Sequence, residues 1–239
     1  LSRNPRANTL RKVLFTLTHR PDLGFVSDRL RALGKASGFK KGVEAALSGL
    51  NSGLHADWIH VEHHCAHAAS AFYVSGFEKA AFLSWDGMGD FASATWGLAE
   101  GNRQRVYGKI FFPHSAGFLY TAGTQFLGFP HFGDEYKVMG MAGFGKPEFL
   151  KEFQRMIRLL PNGGFELDLD YFLHQKGRAK VRWESGSPTQ DLMYSEKWIE
   201  TFGAPRDPEG PLTERDQNMA ASMQSVLETT LFHILGDLH

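Results

Sequence analysis

The stretch Val61-Glu62-His63-His64-Cys65-Ala66-His67-Ala68-Ala69-Ser70-Ala71, followed by Ser84-Trp85-Asp86-Gly87, carries the most information in this chain. A helix that begins near His63 sets His63 and His67 four residues apart on one face, with Cβ atoms about 5–6 Å apart, a spacing one metal ion can bridge. His64 points about 100° away and is expected to do something else. The small residues Ala66, Ala68, Ala69, Ser70 and Ala71 let such a helix pack closely on a neighbour. Lys79-Ala80-Ala81-Phe82-Leu83-Ser84-Trp85 reads as a buried strand that ends in Asp-Gly, and strand ends of this kind commonly face ligands in α/β proteins. On the residues alone, two readings of each feature stand. With 11 His in 239 residues, an i, i+4 pair also arises as a helix-end or surface pair. Asp86-Gly87 can likewise be a plain turn.

Outward from this stretch, the chain reads as an ordinary globular α/β sequence. It is 42% hydrophobic and 22% charged, and Lys plus Arg balance Asp plus Glu at 26 each, so no global basic field recommends nucleic acid. No apolar run is long enough for a membrane span. The single cysteine, Cys65, cannot form an internal disulfide and fits a reducing cytoplasm, and Leu1-Ser2-Arg3-Asn4-Pro5 does not read as a signal sequence. As a lone thiol among small residues, Cys65 is expected to be packed rather than reactive.

Helices are expected over 8–19 and 28–50, and a short strand at Trp58-Ile59-His60-Val61 before the His-bearing helix. Runs 92–98 and 105–112, joined by the turn-prone Glu100-Gly101-Asn102, read as an antiparallel hairpin. Ser115 is placed to cap a helix running to Leu127. Residues 128–147 form a loop-rich, glycine-rich segment in which Lys137 either meets a phosphate or carboxylate or pairs with Asp134 or Glu135. A helix is expected over 148–160. Residues 162–212 read as irregular, with isolated strands at 165–167 and 181–183. Thr213 and Asp216 make a capping box for a last helix whose buried face carries Met219, Met223, Val226, Leu227, Thr230, Leu231 and Ile234. The softest point for a domain boundary lies near residue 150.

Five segments, in order, resemble the O-carbamoyltransferase family of nodulation-factor and antibiotic biosynthesis: Glu62 to Phe72, Trp85-Asp86-Gly87, His114-Ser115-Ala116-Gly117, Glu135 to Ala142, and Ala220 to Glu228. The resemblance implies a Kae1-like domain of the actin/sugar-kinase/Hsp70 (ASKHA) superfamily, ribonuclease-H-like, with a mixed sheet and flanking helices. Residues 1–150 would be its first ribonuclease-H-like half, lacking the first strands, and 151–239 an insertion and connecting helices toward a second half. The family's His-x-x-x-His metal motif falls on His63 and His67, with Asp86 as the acidic residue near metal and phosphates. The metal is usually iron, with zinc or manganese as alternatives.

In the family, a YrdC-like domain makes carbamoyl-adenylate from carbamoyl phosphate and ATP, and the Kae1-like domain passes the carbamoyl group to a hydroxyl of a small-molecule or sugar acceptor. On that basis Asp86, Gly87 and Lys137 are candidates for nucleotide or phosphate contact, and His64, His114 and Lys137 for substrate orientation or charge neutralisation. The family's opening Gly-Ile-Ser-type strand, its Gly-Gly-x-x-x-Asn nucleotide loop and its YrdC-like domain have no counterpart in these residues. The chain is therefore expected to be a fragment that does not turn over alone. Related Kae1-like proteins of tRNA threonylcarbamoylation and hydrogenase maturation share the His pair, but the Glu-Tyr-Lys-Val-Met-Gly and His-Ser-Ala-Gly segments favour small-molecule O-carbamoylation. From other classes, a non-catalytic metal-binding scaffold and a sugar-kinase-like phosphotransferase are the alternatives.

Overall fold

The computed structural model describes residues 7–19, 41–47, 57, 59–176, 181–184 and 187–239. Helix α1 (Thr9–His19) matches the expected first helix. Of the expected helix 28–50, residues 41–47 are helical (α2), and the rest lies outside the described residues. Ile59-His60-Val61 is not a strand. Trp58 lies outside the described residues. Ile59 and Val61 are exposed and find no ladder partner among the described residues, so exposure rather than pairing marks this short apolar run. Helix α3 (His63–Phe72) follows directly, with Glu62 as its N-cap.

Three strands then form an antiparallel meander in the order β1 (Lys79–Gly89), β2 (Ala92–Glu100), β3 (Arg103–Phe111). The expected mixed sheet is corrected here: every strand pair among the described residues is antiparallel. The reason is connection length, since a parallel pair needs a long crossover while only two to five residues separate the paired strands in the sequence. The mixed α/β character stands.

The pleat sorts the sheet into two faces. Even-numbered β1 residues Ala80 and Phe82 pack with Ala68 and Phe72 of α3 and with Ala99. Odd-numbered Leu83 and Trp85 pack into the larger core with Ala94 and Trp96. Asp86 continues the even series and so lies on the α3 side of the sheet, where it meets His63. After Trp85 the β1–β2 register breaks before resuming at Gly89. Such an irregularity re-aims side chains where a regular ladder would hold them fixed.

On the opposite face lie α4 (Ala116–Phe126), α5 (Glu135–Ala142), α6 (Leu150–Met156), α7 (Glu196–Phe202) and the long α8 (Glu214–Leu238). Ser115 caps α4 through the Phe118 N–H, and Thr213 with Asp216 forms the expected capping box on α8. Residues 135–142, expected as loop, are helical despite Gly140. Val138 and Met141 are buried in the same core as Met219 and Met223 of α8, and that packing overrides weak intrinsic propensity. The expected helix 148–160 ends at Met156, and Ile157–Leu159 becomes β4, paired with β5 (Phe165–Leu167). Asn162 and Gly163, both at positive φ, close that hairpin with the turn chemistry such connections favour. The run Val181–Glu184 (β6) pairs with Ser187–Gln190 (β7). The boundary placed near residue 150 runs through one continuous core, because Val138 and Met141 before it share that core with Met156, Trp198 and Met223 after it. Among the described residues no helix is long and apolar enough to cross a membrane.

Candidate metal centre

Helix α3 is seated by polar bonds at three points. Glu62 accepts the Cys65 N–H at 2.9 Å, and its other oxygen takes the Lys109 ammonium of β3 at 3.2 Å. Burial works to raise the Glu62 carboxyl, but the Cys65 N–H and Lys109 outweigh it and hold it below the usual carboxylate range. Gln104 of β3 donates to the Cys65 carbonyl at 3.0 Å. The third point is His64. Its Nε2 lies 2.9 Å from the Ala92 carbonyl, which can only accept, so Nε2 carries the proton and Nδ1 accepts from the Ser84 hydroxyl at 2.8 Å. The ring is fully buried and its pKa is lowered, first by that burial, so it stays neutral.

With the helix fixed in this way, His63 and His67 project toward the end of β1. His63 Nε2 lies 2.6 Å from Asp86 Oδ2 and 2.9 Å from His67 Nε2, and His67 Nε2 lies 3.7 Å from the same carboxylate oxygen. The two rings are nearly perpendicular, with centroids 4.5 Å apart. Gly87 N–H donates to Asp86 Oδ1 at 2.6 Å, which leaves Oδ2 turned toward the imidazoles. Burial pushes the Asp86 carboxyl up, but the hydrogen bonds from His63 and the Gly87 N–H prevail and keep it ionised below the ordinary range. The close fit continues at Gly89, where a Cβ would stand 1.9 Å from His63 Cδ2. Gly117, at the start of α4, would carry its Cβ 2.8 Å from Gly87 Cα, so the helix comes this close to the strand end only because residue 117 is glycine.

The donor set fits a divalent cation. One ligand atom from each of His63, His67 and Asp86 can be chosen so that all lie within 4.8 Å of one another, the one such grouping of three His, Cys, Asp or Glu among the described residues. Ligands about 2.0–2.2 Å from a tetrahedral ion sit roughly 3.3–3.6 Å from each other. The three separations here, 2.6, 2.9 and 3.7 Å, bracket that figure. Two imidazoles and a carboxylate suit iron, zinc or manganese.

The other candidates are engaged in contacts of their own. His64 is buried with both ring nitrogens engaged, so it anchors α3 to the sheet rather than presenting a nitrogen to a substrate. Lys137 is paired with Asp134 at 2.6 Å, and that carboxylate raises its pKa. Glu135 instead accepts from Thr121. The Gly87 N–H is spent on Asp86, while the Gly87 carbonyl takes the Ser115 hydroxyl at 2.7 Å. His114 Nδ1 accepts the Leu167 N–H at 3.0 Å, tying it to β5. Cys65 is half-buried, and burial first, then Glu62, pushes its thiol up to about 11. Two residues at the centre escape a reading of spacing alone: Asp90, whose carboxylate accepts the His63 N–H at 3.0 Å, and Gly89. The run Asp86-Gly87-Met88-Gly89-Asp90 holds the signal, a second acid and a second glycine beside the first.

Comparison with known proteins identifies the family. The chain is 38% identical over 175 residues to an uncharacterised protein of Synechocystis sp., covering 72% of this chain and 26% of that protein. It is 38% identical over 178 residues to nodulation protein NolNO of Sinorhizobium fredii, covering 73% of this chain and 22% of the relative. To nodulation protein NolO of Bradyrhizobium diazoefficiens it is 33% identical over 178 residues, with 73% and 28% covered. The chain thus spans between a fifth and a third of the length of these relatives. Residues 33–238 match the family model described as carbamoyltransferase N-terminus, a span that holds His63, His67 and Asp86, and the chain belongs to the carbamoyltransferase family.

Proposed function

We propose that this chain provides the metal-holding part of an O-carbamoyltransferase. The reaction is transfer of a carbamoyl group from carbamoyl-adenylate, itself made from carbamoyl phosphate and ATP, to a hydroxyl of a small-molecule or sugar acceptor. The observation that carries the reading is the convergence of His63, His67 and Asp86 within a chain that matches the carbamoyltransferase N-terminus. Two of the relatives are nodulation proteins, which makes an acceptor used in nodulation one candidate for that hydroxyl.

In the transfer, the acceptor oxygen bonds to the carbamoyl carbon, the bond from that carbon to the AMP phosphate oxygen breaks, and the hydroxyl proton leaves. A divalent cation, when bound, supplies Lewis-acid polarisation of the carbonyl and neutralises phosphate charge. His63, His67 and Asp86 would hold it. Asp86, kept ionised by the His63 ring and the Gly87 N–H, contributes the negative charge of the donor set. His64 holds the His pair in place through Ser84 and Ala92. His114, whose Nδ1 accepts the Leu167 N–H, is the candidate for orienting substrate. Lys137 contributes to phosphate neutralisation only if Asp134 releases it.

Calorimetric titration of the metal-stripped chain with Zn(II), and with Fe(II) under anaerobic conditions, tests the centre. One-site binding abolished by both His63→Ala and His67→Ala is the expected result, and binding indifferent to both substitutions would overturn it. The chain alone is expected to release no carbamoylated product from carbamoyl phosphate, ATP and a sugar acceptor. Product formed by these 239 residues would refute that second part.

A further inference from the structure

The turn between β1 and β2 is unusual in its residues. Asp90 and Phe91 both have positive φ, at 49° and 75°. Two-residue hairpin turns of this hand favour Asn-Gly or Asp-Gly, and a phenylalanine there is an outlier that persists only when its surroundings hold it. What holds it comes from far upstream. Asn8, just before α1, donates its side-chain amide to the Asp90 carbonyl at 2.9 Å. Phe15 of α1, almost fully buried, stands edge-on to Phe91 at 5.9 Å and to Phe112 at 4.8 Å. Phe91 and Phe112 in turn lie 5.4 Å apart, and Phe112 N–H donates to the Phe91 carbonyl.

The same turn grips a ligand of the metal centre. Asp90 Oδ2 accepts the backbone N–H of His63, while Asp86 Oδ2, four residues earlier, meets the His63 ring. His63 is thus held at its backbone and at its imidazole by one end of one hairpin, with Gly89 fitted under the ring between them. A shift of the turn moves the first residue of α3 relative to Asp86, and so changes the separation of the donor atoms. Replacing groups that fix ligand orientation in this way costs roughly 10–100-fold in metal affinity.

We propose that Asp90 is a positioning residue of the metal centre, and that α1, through Asn8 and Phe15, is the brace that keeps Asp90 in place. The inference rests on the reading of His63, His67 and Asp86 as metal ligands. It assigns a role in metal binding to Asn8 and Phe15, about 50 positions upstream of His63, where neither spacing nor charge suggests one.

The test compares Zn(II) affinity by calorimetry, and the visible absorption bands of the Co(II)-loaded chain, for the parent and four variants. Asp90→Asn keeps a side-chain acceptor and tolerates the left-handed backbone, and is expected to bind like the parent. Asp90→Gly keeps the backbone and loses the acceptor, and Asp90→Ala loses both; each is expected to weaken binding on the order of 10-fold or more and to shift the Co(II) bands. Asn8→Ala removes one hydrogen bond at the molecule's edge and is expected to weaken binding by a smaller factor in the same direction. Asp90→Ala that folds and binds as tightly as the parent, with unchanged Co(II) bands, overturns the positioning role. Should Asp90→Ala fail to fold, Asp90→Gly decides that role by the same criterion. Asn8→Ala with parent affinity overturns the brace. A parent chain that binds neither ion overturns the ligand reading and this inference together, an outcome distinct from the other three.

Discussion

The Nε2 atoms of His63 and His67 lie 2.9 Å apart, and one oxygen of Asp86 lies within 3.7 Å of both. A hydrogen bond between two imidazole nitrogens uses one proton and leaves the other nitrogen's lone pair pointing at it. A cation in place of that proton satisfies both nitrogens and the carboxylate together. Metal that binds the folded chain must therefore stabilise it: at a free ion concentration 100 times Kd the gain is about 2.7 kcal/mol. Thermal melts with and without Zn(II) check this. A rise in Tm is expected for the parent, reversed by chelator and absent in His67→Ala. Equal shifts in parent and variant would place the ion elsewhere.

Glycines in this chain divide by what a methyl group would meet. At Gly89 a Cβ would overlap the His63 ring at 1.9 Å, so Gly89→Ala is expected to displace that ring and weaken metal binding by about 10-fold or more. At Gly140, inside α5, nothing lies within 4 Å and φ is not positive. There the alanine only restricts the unfolded chain and improves helix propensity, so Gly140→Ala is expected to raise stability by about 0.5–1 kcal/mol with metal affinity unchanged. Urea melts and calorimetry on the two variants separate the effects. Similar metal affinities in both would mean the His63–Gly89 contact is not part of the centre.

Cys65 sits between two histidines, yet its surroundings make it inert. Burial and the neighbouring Glu62 carboxylate lift its thiol to about 11, so at pH 8 only about one molecule in a thousand is thiolate. Alkylation by iodoacetamide at pH 8 is expected to run far slower in the native chain than in the same chain in urea. Replacing Glu62 with Gln removes the nearby negative charge and should speed the native reaction. Equal native and unfolded rates would contradict the burial argument.

Much of the centre was legible because it obeys short-range periodicity. His63 and His67 meet because a helix repeats near four residues, and Asp86 faces them because β1 alternates from Ala80 through Phe82 and Ser84. The Thr213–Asp216 box and the Ser115 cap were legible for the same reason, since their partners lie three residues away. What spacing did not show depends on contacts between distant segments. Asp90 acts on a backbone N–H 27 residues earlier, and Asn8 acts on Asp90 from 82 residues away. Lys137 was ambiguous because a phosphate and Asp134 compete for one ammonium, and in the fold the nearby carboxylate holds it. His64 looked like one more site histidine until the pleat put Ser84 beneath it. The switch from α6 to β4 at Ile157 turns on pairing with Phe165–Leu167, a choice no window over 148–160 contains.

His174 gives the fold an acid-sensitive point among aromatic rings. Its ring is 1% exposed and is ringed by Phe112, Phe118 and Phe172. Nε2 lies 2.7 Å from the Pro113 carbonyl and must be the protonated nitrogen, while Nδ1 has no hydrogen-bond partner among the described residues. A second proton would bury a charge and an unmatched donor on Nδ1, and His114 nearby adds repulsion when it too is charged. Burial therefore leads in lowering the pKa, from 6.5 to about 4. The unfolded chain takes up the proton near pH 6.5 and the folded chain not until about pH 4, so between those values the unfolded state binds more protons and stability rises with pH. The contribution is complete above pH 6.5 and is lost progressively on acidification toward pH 4, on the order of 3 kcal/mol in all. Urea melts of metal-free protein at pH 7.5 and pH 5 should show His174→Gln losing less stability than the parent on acidification, because the amide keeps a donor for Pro113 and has no proton to gain. The variant is expected to be somewhat less stable at pH 7.5, where the imidazole fits its aromatic nest better than an amide does. Parallel losses in the two proteins would show that His174 is not the group that senses pH in this range.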